Sequence, residues 1–393
     1  MSKDVFILGG KRTAMGEYVG ALKDISAIEL GAIAAKGALD STGVAPEDID
    51  HTVIGNALQT SGDAIYGARH VALKAGVPFD RPALTVNRLC GSGIQSIVSG
   101  AQMIQLGEAE TALVGGMESM SQAPHVIRGA RSGFPLGGGK LEDSLMVALL
   151  DTYCNTPMAG TAENLARKFE IPREQQDEYA LRSQQEAKRA LDAGIFAEEI
   201  VPVDVTTRKS TTRFEVDDHP RPETTLEGLA KLRPAFAKDG FVTAGNASGI
   251  VDGAAAVVIC GEEYLKRRDV KPMGRIVSWA YAGVEPEIMG IGPVPATRQA
   301  LDKAALKLAD IDLIEVNEAF AAQYLAVEKE LGLDRSKTNV NGGAIALGHP
   351  LGATGTRLVI TVLNELHRRG GRYGLATACI GGGQGIAMIV ERL

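Results

Sequence analysis

Two similar halves of mixed α/β structure, separated by an inserted domain of different texture, are what three features of this 393-residue sequence predict. The first is an internal repeat. Ala38 to Asp50 and Ala300 to Asp312 agree at their first three and last three positions without a gap, as Ala-Leu-Asp and Asp-Ile-Asp. The second is that both halves alternate strand and helix signals, the pattern of sheets covered by helices. The third is a break in that pattern between residues 121 and 249, where glycine-rich, charged-helical and polar stretches follow one another.

In chain order, Val5-Phe-Ile-Leu8 opens as a strand. Ala38 to Asp50 reads as a helix end, a loop and the start of a strand, and Ala300 to Asp312 reads the same way. Ala83 to Val86 is a short buried strand, and Ile94, Ile97, Val98, Ala101 and Ile104 recur at helical spacing. At the offset of the repeat, Leu89-Cys90-Gly-Ser-Gly93 stands opposite Leu351-Gly-Ala-Thr-Gly355, each ahead of an apolar helix. Pseudo-twofold packing would then bring the Cys90 turn and the His349-Pro350 turn together. The inserted region carries a charged helical segment from Thr161 to Ala193 and a polar run from Thr206 to Asp218, ending in His219-Pro-Arg221-Pro. Its Arg208, Lys209, Arg213, Arg221, Lys231 and Arg233 are available to an anionic ligand, or simply form a solvated surface. The expected division is 1–120 with a returning segment 250–271, an inserted domain 121–249, and 272–393.

A net charge of −7 and the lack of a basic stripe argue against a binder of nucleic acid that works by neutralising phosphates. The sequence begins in a strand, with no charged and apolar leader and no apolar stretch of spanning length, so neither membrane attachment nor export is expected. The cytoplasm is the expected compartment. Four scattered cysteines (90, 154, 260, 379) form no Cys-x-x-Cys pair, and no His-Glu-x-x-His occurs. Neither a metal site nor a disulfide framework is expected, which leaves the cysteines to core packing or to chemistry.

Cys90 falls between a strand and an apolar helix, where free N–H groups and the helix dipole would favour a thiolate and lower its pKa. A packed core thiol would fit the same position. Asn317 ends the strand Leu313 to Val316, a place where ligand sites of α/β folds gather, although turn and cap residues gather there too. His349 sits in a glycine-punctuated apolar turn and could accept the Cys90 proton or be a satisfied core histidine. Cys379 closes the strand Leu375 to Ala378 before Gly381-Gly-Gly-Gln-Gly, whose backbone N–H groups could hold an oxyanion.

Taken together, Asn87-Arg-Leu-Cys90-Gly-Ser-Gly, Gly116-Met-Glu-Ser-Met-Ser, Thr243-Ala-Gly-Asn-Ala-Ser248-Gly, Asn317-Glu-Ala-Phe, Gly348-His-Pro and Cys379-Ile-Gly-Gly-Gly resemble the thiolases over essentially the whole chain. The resemblance is to their degradative 3-ketoacyl-CoA branch. It implies two βαβαβαββ halves in a five-layered αβαβα sandwich, with a loop domain that holds coenzyme A. It implies Cys90 as the acylated nucleophile, His349 as its base and Cys379 as the proton carrier at the α-carbon of acetyl-CoA. One oxyanion site would be His349 with a water on Asn317; the other would be the N–H groups of Cys90 and Gly381. The resemblance places Arg221 near the adenine, Ser248 near the pantetheine, and Met158, Phe236, Met289 and Phe320 along the acyl and pantetheine tunnel, with Ala244 a further residue that binds substrate or CoA. Coenzyme A is then a substrate, with no tightly bound cofactor and no metal. Acyl-CoA and CoA would be the small-molecule partners, and the assembly a homotetramer built as a dimer of dimers.

Where biosynthetic acetoacetyl-CoA thiolases often have His-Met, this chain has Pro157-Met158, which argues against strict confinement to a four-carbon substrate. A decarboxylating ketoacyl synthase would also use a cysteine nucleophile but would not need Cys379. A non-catalytic acyl-CoA binder is the third reading.

Overall fold

The computed structural model describes residues 4–235, 237–268 and 270–393. Among these, nine strands make the path of one large sheet: β1 (Val5–Thr13), β2 (His51–Gly55), β3 (Ala83–Val86), β4 (Thr111–Glu118), β5 (Val251–Gly261), β6 (Gly274–Gly283), β7 (Leu313–Val316), β8 (Tyr373–Ile380) and β9 (Gln384–Arg392). Their spatial order is β7, β8, β9, β6, β1, β5, β4, β2, β3. In the first half β2 lies parallel to β3 and β4, and β5 runs antiparallel to β4 and β1. The second half repeats this. There β7 is parallel to β8, β9 is antiparallel to β8 and β6, and a lone bridge from Ile314 to Thr338 stands where β3 stands in the first.

The two sheets of the expected sandwich are joined at one edge. Phe6 pairs with Arg275 and Ile7 with Gly274, so that β1 and β6 continue one hydrogen-bonded sheet of eleven strands, two short ones included. These strands hold the same place in each half, and the pairing satisfies backbone groups that two bare edges would leave open.

Two helices, α3 (Ser92–Leu106) and α8 (Leu351–Arg369), fill the layer between the halves. Outside them, α1 (Ala27–Thr42) and α2 (Gly67–Lys74) cover the first half, and α6 (Pro293–Ala304) and α7 (Ala321–Leu331) cover the second. Strand alternation feeds the layers: Ala255, Val257 and Ile259 of β5 face the central core, while Ala254, Val258 and Cys260 face α1. Strands buried on both faces must be apolar throughout, which is why β5 has no exposed residue.

The repeated Asp-Ile-Asp has a structural cause. The Asp50 carboxylate accepts from the N–H groups of Glu110 (2.9 Å) and Thr111 (3.2 Å), where β4 begins. Asp312 does the same for Arg372 (2.7 Å) and Tyr373 (3.0 Å), where β8 begins. Each aspartate therefore joins two neighbouring parallel strands at their starts.

The inserted region holds α4 (Met158–Lys168) and α5 (Arg173–Asp192). The charged helical segment expected from Thr161 to Ala193 is made of these two helices. Glu170, with a φ of 54°, leaves the helical region, and Pro172 cannot donate to a continuing ladder. Part of the polar run forms an antiparallel ribbon, Val203–Thr206 with Thr211–Phe214, rather than loop. Buried polar contacts fix this domain to the halves. Arg12 of β1 forms a bidentate pair with Asp217 (2.7 and 2.8 Å) and reaches Glu199 (2.7 Å). Glu318 accepts from Tyr179 (2.7 Å) and Ser183 (2.6 Å) of α5.

The first turns of α3 and α8 approach at backbone distance. A Cβ on Gly93 would sit 2.4 Å from the Thr356 nitrogen, and one on Gly355 would sit 2.4 Å from the Ile94 nitrogen. Gly93→Ala is therefore expected to destabilise the protein by about 1–3 kcal/mol through overpacking. Gly62→Ala, a site with open space around it, should stay within about 0.5 kcal/mol of the parent. Denaturant unfolding of the two variants checks the contrast; equal stability would contradict the contact.

Candidate active site

Cys90 lies in the turn between β3 and α3. Leu89 is held at a φ of 46°, in the left-handed region that a branched residue adopts only under constraint. The constraint is visible: Asn87 accepts from the Leu89 N–H (2.9 Å) and donates to the Ala57 carbonyl (3.0 Å), and Ser92 Oγ accepts from Arg88 N (2.8 Å) and donates to Leu89 O (2.7 Å). Arg88 crosses to the second half, where it donates to Gln384 (3.0 Å) and lies 4.7 Å over the Tyr281 ring.

The thiol of Cys90 is pushed up to about 11, contrary to the lowering expected from the helix start. Burial among apolar neighbours is the largest cause, and the charge of Glu118 adds to it, while the Gly381 and Cys90 N–H groups pull the other way. Desolvation outweighs the dipole because Met120, Leu149 and Leu351 surround the turn with hydrocarbon. The same contacts place the Gly381 N–H within hydrogen-bonding reach of the sulfur.

His349 is buried, and its N–H donates to Gly249 O (2.9 Å). Its Nδ1 lies 2.6 Å from Thr354 Oγ1, which itself donates to Pro350 O (3.1 Å). The threonine proton is used, so Nδ1 carries the histidine proton and Nε2 keeps its lone pair. Asn317 Nδ2 faces that nitrogen at 3.3 Å. Burial, then the charge of Arg357, hold the imidazole down to about 3. The Asn317 side chain is buried, with an Oδ1 that meets no protein donor among the described residues.

Cys379 ends β8, fully buried and packed with Met289 and Ala319, with Met158 and Phe320 against them. Burial pushes its thiol far up, and the charge of Cys90 is the next cause, which sets the two thiols in one neighbourhood. Gly381 follows at the start of a tight glycine turn whose Gly382 and Gly383 both have a φ of 82°.

Two hollows meet this cluster, and a third lies farther out. Cys90 and Gly381 line one of about 220 Å³, with Thr152 and Gly382 exposed at its rim. His349, Ser248 and Phe320 line a second of about 230 Å³. The two share Leu149, Met158 and Leu351 as common walls. Arg221 and Ala244 line a third of about 470 Å³ in the inserted domain, beside His219 and Gly245. The segment from Ala244 to Gly249 passes from the third hollow to the second, braced by a bridge from Ala247 to Phe320 and by Ser248 N donating to Ala319 O (3.0 Å). An extended ligand could follow that segment to the sulfurs. Arg221 is ion-paired with Glu17 at the rim, and Arg213 and Lys231 are paired with Glu215 and Glu227, so the basic residues do not form one patch. Phe236 lies outside the described residues.

Sequence reasoning did not single out Leu149, Leu351 or Thr354. It also passed over Glu118, although Gly116-Met-Glu-Ser sets a carboxylate at the end of an apolar strand, a signal that could have drawn notice. Among the described residues no group of three or more His, Cys, Asp or Glu side chains could hold a metal ion.

Two family descriptions match the chain: thiolase, N-terminal domain, over residues 5–263, and thiolase, C-terminal domain, over 270–392. Mitochondrial 3-ketoacyl-CoA thiolase of Homo sapiens is 57% identical over 99% of this chain and 98% of its own. Acetyl-CoA acetyltransferase of Allochromatium vinosum is 48% identical over the full length of both. The crystal structure of the human mitochondrial 3-ketoacyl-CoA thiolase in complex with CoA superposes with a TM-score of 0.97 at 57% identity, covering 100% of this chain and 98% of that one.

Alkylation of Cys90 by iodoacetamide should accelerate through about pH 9 and keep rising toward its raised pKa, because the thiolate is the reactive form. With His349 held to about 3, no histidine inflection should appear between about pH 5 and 7. Rates measured by mass spectrometry that level off by about pH 8 would contradict the neutral resting pair.

Proposed function

The chain belongs to the thiolase family, and from that premise we propose that it is a 3-ketoacyl-CoA thiolase, an acyltransferase that cleaves 3-ketoacyl-CoA with CoA to give acetyl-CoA and a shortened acyl-CoA. One observation carries the reading: two thiols, Cys90 and Cys379, lie close enough where the halves meet for the charge of one to act on the other, and Cys90 is beside the Gly381 N–H. A single cysteine nucleophile would serve many acyl transfers. A second thiol beside it supplies an acid and base for carbon.

In the proposed cycle Cys90 Sγ attacks the 3-keto carbon as its proton passes to His349 Nε2. The oxyanion that forms is held by the Cys90 and Gly381 N–H groups. Cleavage of the bond between C2 and C3 sends its electron pair into the acetyl-CoA enolate, whose oxygen rests on His349 Nε2–H and on a water held by Asn317. Cys379 protonates the enolate carbon, and acetyl-CoA departs. An incoming CoA thiol then gives its proton to Cys379 and attacks the acyl-Cys90 thioester. Cys90 leaves and recovers its proton from His349. Both thiols and the imidazole return to their starting states, and one thioester is exchanged for another, so the acyl transfer runs in either direction. Condensation of two acetyl-CoA molecules is the reverse of the same path.

Several features support the finer assignments. The hollow at Cys90 ends at the exposed Thr152 and Gly382, which leaves room for an acyl tail longer than four carbons and favours degradation of fatty acyl chains over strict acetoacetyl-CoA synthesis. Arg221 and Ala244 at the outer hollow, then Ser248, Met158 and Phe320 at the inner one, fit a CoA laid along residues 244–249, with Met289 behind Cys379. The CoA complex of the human relative agrees with CoA as the substrate. A homotetramer is proposed because β3 is a sheet edge and because the hairpin of His125–Ile127 with Leu141–Asp143 exposes Phe134, Leu136 and Leu141. A cytoplasmic location is proposed because catalysis through free thiols needs a reducing compartment.

With acetoacetyl-CoA and CoA, the protein should consume substrate and yield acetyl-CoA, and acetyl-CoA alone should leave an acetyl adduct on Cys90. Cys90→Ala should lower kcat by roughly 10⁴–10⁶-fold and abolish the adduct. Cys379→Ser should still acylate Cys90 yet lose exchange of the α-protons of acetyl-CoA. CoA-independent loss of substrate, or an adduct that survives Cys90→Ala, would sink the reading. Thiolysis rates against chain length should remain substantial beyond four carbons, and light scattering should give four copies.

A further inference from the structure

Glu118 is a fully buried carboxylate that the cycle above does not use. It ends β4 in the first half and accepts four hydrogen bonds: from Asn56 Nδ2 (2.8 Å) and Leu58 N (3.0 Å) on Oε1, and from Ala57 N (3.0 Å) and Gly352 N (2.9 Å) on Oε2. Two of these bonds lead to the turns that carry Cys90 and His349. Ala57, whose N–H it holds, accepts from Asn87, and Asn87 fixes the left-handed Leu89 beside Cys90. Gly352 belongs to the first turn of α8, three residues after His349 and across the pseudo-twofold axis. One side chain thus ties the nucleophile turn of one half to the base turn of the other.

We propose that Glu118 is a positioning residue for acyl transfer, whose ionised carboxylate holds the Cys90 and His349 turns in register by accepting from Gly352 beside His349 and from Ala57, whose carbonyl holds Asn87 and through it Leu89. This inference rests on the thiolase reading. All four partners are donors, so only a carboxylate satisfies them; an amide or a protonated acid would set a donor against a donor. The position is built once. At the repeat offset the counterpart of Glu118 is Ile380, which ends β8 without a carboxylate.

The groups that face Glu118 are Asp252 on the adjacent strand β5 and the Cys90 thiol. Burial is the main cause that pushes its carboxyl up to about 7, against the pull of the three backbone N–H groups. As pH falls through that value the carboxylate gains a proton, and its clamp loses an acceptor.

The test compares the full-length wild type with Glu118→Gln, Glu118→Asp and Asn87→Ala in acetoacetyl-CoA thiolysis and in single-turnover acetylation of Cys90. Glu118→Gln should lower kcat and the acetylation rate by about 10²-fold, the scale of a small misplacement of reacting groups, with KM for CoA unchanged. Glu118→Asp should recover part of the loss. The wild type should show an acid limb near 7 that Glu118→Gln lacks, and His349, held far lower, cannot supply that limb. A wild-type kcat in Glu118→Gln, a loss confined to melting temperature, or an acid limb that persists in that variant would overturn the proposal. If Glu118→Gln does not fold, Asn87→Ala decides: reduced kcat at constant KM supports the relay through Leu89, and unchanged kcat overturns it. Should the wild type not thiolyse acetoacetyl-CoA at all, the functional reading fails first. Alkylation of Cys90 then reads the turn by itself, slowed in both variants if the clamp exists and unchanged if it does not.

Discussion

Backbone contact between the first turns of α3 and α8 is the constraint on which the rest of the molecule depends. Gly93 and Gly355 let each helix bring its opening turn against the other, with Thr356 Oγ1 donating to Gly93 O at 3.1 Å. In the proposed cycle the chemistry sits at those openings, because each half places a strand-to-helix turn there. A side chain at either glycine would push the helices apart, and with them Cys90 from the Cys379 and His349 side of the site. The central core of Ile94, Ile97 and Val98 against Leu358, Val359 and Val362 then holds the crossing in place.

The crossing creates a dry site, and dryness sets the charge states. In water a helix start would favour a thiolate, but here the loss of hydration exceeds the dipole, and Cys90 rests as a thiol, with a neutral His349 imidazole in the adjoining hollow. Two neutral partners cost less to bury than an ion pair. Charge therefore has to develop with the reaction, at atoms that face fixed donors: the Gly381 N–H beside Cys90, and the Asn317 amide beside His349 Nε2. Donors already in place need no reorganisation when the oxyanion forms, and the low dielectric that raises both thiols also strengthens those hydrogen bonds.

Much of this was legible in the chain because it is encoded locally. The Ala-Leu-Asp and Asp-Ile-Asp repeat marked two halves, and the structure shows why the second motif recurs: Asp50 and Asp312 each hold the N–H groups that begin the next strand. Cys90, His349, Asn317 and Cys379 stood out because glycine and strand ends flank them. What sequence reasoning missed depends on distant contacts. The rise in the Cys90 pKa comes from Leu149 and Leu351, far apart in sequence, and the tautomer of His349 from a threonine whose own proton is already used. The break between α4 and α5 has a local signal that was not used, since Pro172 lies in the sequence where a helix cannot run through. The edge pairing of β1 with β6 has no local signature, being set by the fit of one half on the other.

The repeat also explains how one framework supports two kinds of chemistry. At the offset that aligns β4 with β8, Cys379 corresponds to Met117, Cys90 to Gly352, and Asn317 to Gly55. These three side chains thus correspond to small or apolar residues in the other half, whereas His349 corresponds to Asn87, which holds the Leu89 turn. That difference is required by space. A Cβ at Gly352 would lie 2.6 Å from Met117 O, and one at Gly55 would lie 2.6 Å from the Ser92 Cβ, so a second cysteine or asparagine could not occupy the mirrored place. A symmetric framework therefore brings the turns together, and in the proposed cycle asymmetric filling lets one half carry the acyl group while the other moves protons. The close packing that makes the halves meet is also what makes them differ.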